Sequence, residues 1–337
     1  MRINVNKHLI CPLIICASVS GFWRNVSAAE FVIKDTLHIG GDGGFDFATL
    51  DANGRTLYLP RSTHTQIVDA SNGTIVGDVP DNSRSHGVAL VPKLRRGFIS
   101  NGGDGTIQVF DLKSNKSLGK ISAAPDADCI LYDVASNKVL AFCGDANVMI
   151  AVAPDVDVSN GQPAAKIDLG GKPEFAVSDG RGKVFVNLVD KDEVAVVDTD
   201  KMSVVTKWPV KPGKQPVGLS LDPVKRRLYI GCRSRQMVVM NANDGTVLGD
   251  LPIGSGVDAT AFFNDTSFAS CSDGTLTIIR ETSPGKFEVA QTLKTAPRAK
   301  TMAIDTEKGL IYLPTTDGQG RTAAPDTFRV LVVGEGS

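Results

Sequence analysis

The chain alternates short apolar runs with polar turns along nearly its whole length. Residues 215–253, QPVGLSLDPVKRRLYIGCRSRQMVVMNANDGTVLGDLPI, contain four such runs: VGLSL, RLYIG, MVVMN and TVLGDL. Asp222-Pro223, Arg233-Ser234-Arg235 and Asn243-Asp244-Gly245 separate them. Runs of β-formers bounded by Pro, Gly, Asn and Asp predict strands joined by tight turns. This stretch is therefore expected to be a four-stranded antiparallel meander. A single sheet of that kind has two apolar faces and cannot bury both, so it needs copies of itself.

The copies are visible at an apolar residue followed by a turn. The positions are Leu50-Asp51, Val91-Pro92, Tyr132-Asp133, Ser178-Asp179, Leu221-Asp222, Phe263-Asn264 and Ile304-Asp305, spaced by 41, 41, 46, 43, 42 and 41 residues. Each is followed by a second strand (TLYLP, RGFIS, KVLAF, KVFVN, RLYIG, TSFAS, LIYLP) and then a third. This periodicity predicts an all-β chain, a seven-bladed β-propeller of four-stranded antiparallel blades. The last repeat ends before its fourth strand. Phe31–Ile39 (FVIKDTLHI) resembles Phe287–Thr295 (FEVAQTLKT), the fourth strand of the sixth repeat. The N-terminal strand, residues 31–39, is thus expected to complete the last blade, which closes the ring and removes two sheet edges.

Residues 1–29 do not fit the repeat. Arg2 and Lys7 precede an apolar stretch from Leu9 to Phe22, and Ser27-Ala28-Ala29 supplies small residues before Glu30. This is the pattern of a cleaved signal peptide. A membrane anchor is the rival, but the stretch is short and broken by Pro12, Ser18, Ser20 and Gly21. The expectation is a secreted or periplasmic protein with residues 30–337 as one domain, monomeric and without a membrane span after cleavage. Loss of Arg2, Lys7 and Arg24 leaves 33 basic against 37 acidic side chains, a net charge of −4. Such a balance argues against general nucleic-acid binding.

Four cysteines remain beyond the leader: Cys129, Cys143, Cys232 and Cys271. A turn centred on Ser136 would set Cys129 and Cys143 opposite each other, as a disulfide or as two buried thiols. Cys143, Cys232 and Cys271 share one register in three blades. No CxxC spacing suggests a zinc cluster.

The patterns LDPVKRRLYIG, SDGRGKVFVNL and IDTEKGLIYLP share an apolar-Asp-turn-aromatic order, and Asn101–Asp111 (NGGDGTIQVFD) is echoed at Cys271–Thr277 (CSDGTLT). In these residues the chain resembles the YVTN-repeat β-propellers, and within them secreted YncE-family proteins, from Phe31 to Gly334. Phe98-Ile-Ser-Asn101 is the nearest approach to the tetrapeptide itself. The resemblance implies the propeller fold and a binding or surface role. Similar seven-bladed folds include lactonases and quinoprotein-like enzymes.

Strand direction puts the second-to-third-strand loops and the blade connections on one face, here the top, where the loops are long and charged. Irregular loops on a rigid scaffold are where function tends to sit. At this face the innermost strands begin near the axis, at Asp46, His86, Asp128, Glu174, Val217, Asp258 and Lys300. All but Val217 are ionisable, and they are expected to ring the channel mouth, either as a solvated rim or as a ligand site. His86 with Asp46 and Asp128 offers an imidazole and two carboxylates, donors that suit a divalent cation. Acids dominate blades two to four (Asp104, Asp126, Asp145, Asp190, Asp192), and bases dominate blades five, seven and one (Arg61, Lys211, Lys214, Arg233, Arg235, Arg298, Arg321). That distribution predicts a polarised mouth steering an anionic group towards Arg61, Arg233, Arg235 and Arg321.

No G-x-S-x-G, HExxH or Walker sequence is present. Gly40-Gly-Asp-Gly-Gly44 opens no predicted helix, so it is taken as a flexible connector and not as a phosphate cradle. No cofactor beyond a divalent cation is evident. The leading expectation is a binding scaffold for a protein, glycan or small ligand at the top of the channel. A metal-dependent or lactonase-like hydrolase at the same mouth is the second. Single-stranded nucleic acid is the third, and it lacks the stacking aromatics such binding uses.

Overall fold

A computed structural model describes residues 30–319 and 322–336. The leader-like segment and Arg321 lie outside the described residues. The described chain forms seven four-stranded antiparallel sheets and one two-residue hairpin, Gly318–Gln319 with Thr322–Ala323. The first strands of blades one to seven are Thr49–Leu50, Ser85–Val91, Ala127–Asp133, Pro173–Ser178, Pro216–Asp222, Val257–Phe263 and Ala303–Asp305. Within each of the first six blades the strands pair in chain order. Among the described residues no helix is long and apolar enough to cross a membrane.

Each blade has two apolar faces because its middle strands are buried on both. TQIVD, TIQVFD, VMIAV and QMVVMN are buried at most positions and carry mainly β-branched and large apolar residues, with Gln66 and Gln108 as buried polar exceptions. The core is accordingly divided into clusters that straddle neighbouring blades. Phe98, Ile107 and Val109 of blade two pack with Val139, Ala141 and Ile150 of blade three. Leu140, Met149 and Ala151, on the other side of blade three, pack with Val184, Val186 and Ala195 of blade four.

The ring closes as expected. Phe31–His38 pairs antiparallel with Arg329–Glu335 as the outer strand of blade seven. Phe31 is buried against Phe268 of blade six, ring centroids 5.0 Å apart. Its backbone is also clasped by Gln291: Phe31 N donates to Oε1 and Nε2 donates to Phe31 O, both at 2.8 Å. Leu37 packs on the opposite side, with Leu57 and Val68 of blade one.

The recurrent Asp of the repeat is a turn cap. Asp51 Oδ1 accepts the amides of Arg55 and Thr56, Asp222 Oδ1 those of Val224 and Lys225, and Asp305 Oδ1 those of Glu307 and Lys308. A short carboxylate is suited to bonding its own backbone a few residues on, two or three at Asp222 and Asp305 and four or five at Asp51. The motif that carries the family resemblance is therefore structural.

Two features differ from the sequence expectation. Cys129 and Cys143 are buried free thiols, the second of the two expected alternatives, but they do not face each other as expected. A register shift between Ala127 and Ile130 sets Cys143 opposite Ala127. Cys129 then points into the core shared with blade four, and Cys143 into the core shared with blade two. The register of Cys143, Cys232 and Cys271 is equivalent, since they pair with Ala127, Pro216 and Val257 at the top of their first strands.

The second difference is Arg61, expected on the basic side of the mouth. It is 0% exposed. The Gly40–Gly44 segment wraps around its guanidinium: Nε donates to Gly44 O at 3.0 Å, Nη1 to Gly40 O at 3.2 Å, and Nη2 to Asp42 O at 3.0 Å and Gly41 O at 3.2 Å. Gln66 Oε1 accepts a further bond from Nη1, and the Phe328 ring lies 3.7 Å beneath Cζ. Burial lowers the Arg61 pKa to about 10, with the Asp42 charge opposing. The glycines permit the wrap: Gly43 has φ +104°, and a Cβ there would lie 2.7 Å from Arg61 O. The segment is thus a loop built on Arg61, not a flexible connector.

Candidate functional site

The first strands of blades two to six share an irregularity. Their pairing with the second strand slips between Ser85 and Val88, Ala127 and Ile130, Pro173 and Ala176, Pro216 and Gly218, and Val257 and Ala259. These slips contain His86, Asp128, Glu174, Val217 and Asp258. A bulge re-aims the side chain it carries, and here it does so at the start of each innermost strand. The residue two places before the rim position adopts a left-handed backbone in five blades: Arg84, Asp126, Gln215, Gly256 and Arg298 have φ between 50° and 71°.

Neighbouring blades hold the rim in place. Thr301 Oγ1 donates to Asp46 O at 3.0 Å and Phe47 N to His86 O at 3.0 Å. Ser100 Oγ donates to Asp128 O, and Ser270 Oγ to Lys300 O at 2.6 Å. Each of these four carbonyls is tied by the blade preceding it in the ring.

Asp46, His86, Asp128, Glu174, Asp258 and Lys300 all line one cup of 670 Å³ at the channel mouth, with Arg233. Val217, the seventh position, is 1% exposed and packs into the blade five core. Arg235 is exposed on the same loop as Arg233 but is not part of the lining. The structure adds residues that repeat alignment did not single out: Arg84 and Lys172, two places before His86 and Glu174, and Phe47, one place after Asp46. Their signal was positional, a second ring offset from the first, but nothing in a strand's alternation says that its n−2 residue turns inward.

Charge in the cup is interleaved, not polarised. Six carboxylates face five Arg or Lys side chains and His86. Arg84 pairs with Asp126, and Lys172 lies 2.9 Å from Asp145 and 3.4 Å from Asp126. Arg233 reaches Glu174 at 3.4 Å, and Lys300 pairs with Asp258. The expected division into acidic and basic halves fails because Arg84 and Lys172 sit among the acids.

Asp46, His86 and Asp128 come together. His86 Nδ1 lies 2.6 Å from Asp46 Oδ2 and 3.3 Å from Asp128 Oδ1, while Arg84 Nε donates to His86 Nε2 at 3.3 Å. Asp46 Oδ1 and Asp128 Oδ1 are shielded from solvent and have no hydrogen-bond partner. One donor atom from each of the three residues falls within 4.8 Å of the others.

Burial alone would lower the His86 pKa, but the hydrogen bond to Asp46 and the Asp128 and Asp46 charges outweigh it, so the pKa is raised. Asp128 is pushed up chiefly by burial, with His86 opposing and the charges of Asp46, Glu174 and Asp258 adding. Burial also raises Glu174 against Arg233, and Asp258 against Lys300. Asp128, Glu174 and Asp258 hold protons more tightly than usual, first because they are desolvated and further because neighbouring carboxylates repel them.

Two aromatic rings cross the channel at the base of the cup. The Phe47 and Phe175 rings, from blades one and four, meet edge to face with centroids 5.1 Å apart. Beyond them, along the first strands, lies a separate chamber of 360 Å³.

No family model matches the chain, and no curated protein matches it in sequence. Solved structures match in shape. A chain from a crystal structure of the mitotic checkpoint complex aligns with a TM-score of 0.74 at 10% identity, covering 97% of this chain and 98% of that one. The β-propeller domain of Myceliophteria thermophila Cps50 (Swd1) aligns with a TM-score of 0.69 at 11% identity over 91% of this chain and 100% of that one. The chain is a seven-bladed β-propeller. At these identities the likeness extends to fold alone.

Proposed function

We propose that this propeller is a binding scaffold whose ligand enters the cup at the channel mouth, where Asp46, His86 and Asp128 hold a divalent cation. One observation carries the reading: one donor atom each of Asp46, His86 and Asp128 lies within 4.8 Å of the others, and the shielded Asp46 Oδ1 and Asp128 Oδ1 accept no hydrogen bond, Asp128 Oδ1 having only the His86 Nδ1 contact at 3.3 Å. Desolvated carboxylate oxygens without donors are costly, and a cation satisfies both. One imidazole with two carboxylates favours zinc or a similar first-row ion over calcium. The ion would replace the proton on His86 Nδ1 and offer its open positions to an anionic group of the ligand, a protein, glycan or small molecule.

The reading includes a secreted or periplasmic setting and kinship with YncE-type YVTN propellers, both supported by sequence resemblance. The hydrolase alternative rests on the same triad and has no observation of its own.

The test is calorimetric titration of the dialysed protein with Zn²⁺ and Mn²⁺. One ion per chain is expected, with binding lost in the double variant His86→Ala, Asp128→Ala while circular dichroism is unchanged. Absence of saturable binding in the wild type, or equal binding in the double variant, removes the cation from the reading.

A further inference from the structure

The chamber beneath the Phe47–Phe175 contact has no part in the cup. Its 360 Å³ are bounded by segments of blades one, two, three, four and seven, with Val88, Ile130, Leu131, Val177 and Met302 among its walls. No Asp, Glu, Lys, Arg or His side chain lines it. The volume lies within the usual range for small-molecule sites of ~300–1,000 Å³.

Its hydroxyl groups are already committed. Thr49 Oγ1 donates to Val88 O at 2.8 Å, Tyr132 Oη donates to Asn137 Oδ1 at 2.7 Å, and Ser178 Oγ donates to Asp133 Oδ1 at 2.5 Å. The remaining lining side chains are apolar apart from the Cys129 thiol, whose proton burial makes hard to remove. With these side chains committed, water in the chamber keeps as partners the backbone groups on the unpaired inner edges of the first strands, and an apolar molecule that displaces poorly held water gains affinity. Apolar cavities lined by aliphatic and aromatic side chains take up benzene-like molecules for this reason.

We propose that this chamber is a second binding site, for a compact, uncharged, aromatic or branched-aliphatic molecule, closed at its inner end by the Phe47–Phe175 pair. Charge is excluded because no lining side chain could pair with it. Size is limited by the aromatic floor above and the ring of first strands around. The site is chemically independent of the cation reading of the cup.

The probe is 1-N-phenylnaphthylamine, whose fluorescence rises in apolar surroundings. The wild-type chain should bind it saturably, one per chain. Val177→Phe and Leu131→Phe, which fill the chamber from two different blades, should each weaken binding at least tenfold. Melting midpoints show whether each variant folds. The cup variant His86→Ala, Asp128→Ala should bind the probe as the wild type does, which separates this site from the cation. Iodobenzene soaked into wild-type crystals supplies a measurement that needs no variant: the iodine signal should lie between the Phe175 ring and Tyr132. No saturable probe binding, wild-type affinity in a folded filling variant, or iodine only at other places would overturn the proposal.

Discussion

Phe47 follows the rim residue Asp46 in blade one, Phe175 follows the rim residue Glu174 in blade four, and the two rings touch inside the channel. The contact separates a charged cup from an apolar chamber. It also couples two blades that are not neighbours in the ring. A double-mutant cycle with Phe47→Leu and Phe175→Leu should return a coupling of about 0.5–1.5 kcal/mol, as for other edge-to-face pairs. Urea unfolding of the four proteins measures it. Additive single effects would mean that the rings do not meet in solution.

Closure of the ring is the second point open to measurement. Phe31 is nearly fully buried and contacts both Phe263 and Phe268. Phe31→Ala should cost about 3–5 kcal/mol, the usual range for a buried Phe. Deleting residues 31–38 should lower the melting midpoint of the whole domain, because it bares one strand edge and one side of two cores. An unchanged midpoint in the deletion would refute the closure.

Arg61 bears on the loop that leads to Asp46. Arg61→Met removes the shared donor of the Gly40, Gly41, Asp42 and Gly44 carbonyls, and each one left unpaired away from water costs about 1–3 kcal/mol unless the loop opens. We expect a loss of at least about 2 kcal/mol, with faster amide exchange from Gly41 to Gly44. Arg61→Lys should recover only part of it, since an ammonium cannot reproduce a planar fork stacked on Phe328. Full recovery by Lys would argue that charge alone holds the loop.

For His86 the expected pH behaviour follows from its raised pKa. A folded pKa above the unfolded value, about 6.5, means that the pairing stabilises the protein fully below that value. The contribution fades as pH rises through the folded pKa. An NMR titration of the wild type, with no added metal, should show His86 titrating above the ordinary histidine range. Asp46→Asn should bring it down. A wild-type midpoint at or below the ordinary value would contradict the Asp46–His86 pairing.

Much of this architecture is written in the sequence because it is local and repeated. Strand alternation, the capping Asp at positions such as 51, 222 and 305, and the orphan strand 31–39 each follow from residues a few places apart. Repetition then forces equivalent positions onto one ring, which is why Asp46, His86, Asp128, Glu174, Asp258 and Lys300 could be named together.

What only the tertiary structure decided lies where the repeat is broken or where distant blades meet. The bulge at the top of the first strands moves Cys129 to the opposite face from Cys143, and no change in residue alternation marks it. Arg61 looked like a surface base, because its charge carries no sign of the carbonyl nest of the five-residue Gly40–Gly44 segment that would bury it. Nothing in the sequence pattern singled out Phe47 and Phe175, whose rings meet across the channel. Periodicity specifies which side chains share a register, but contact across the channel depends on the ring's diameter and on bulges that turn individual side chains, and both emerge only when all seven blades pack.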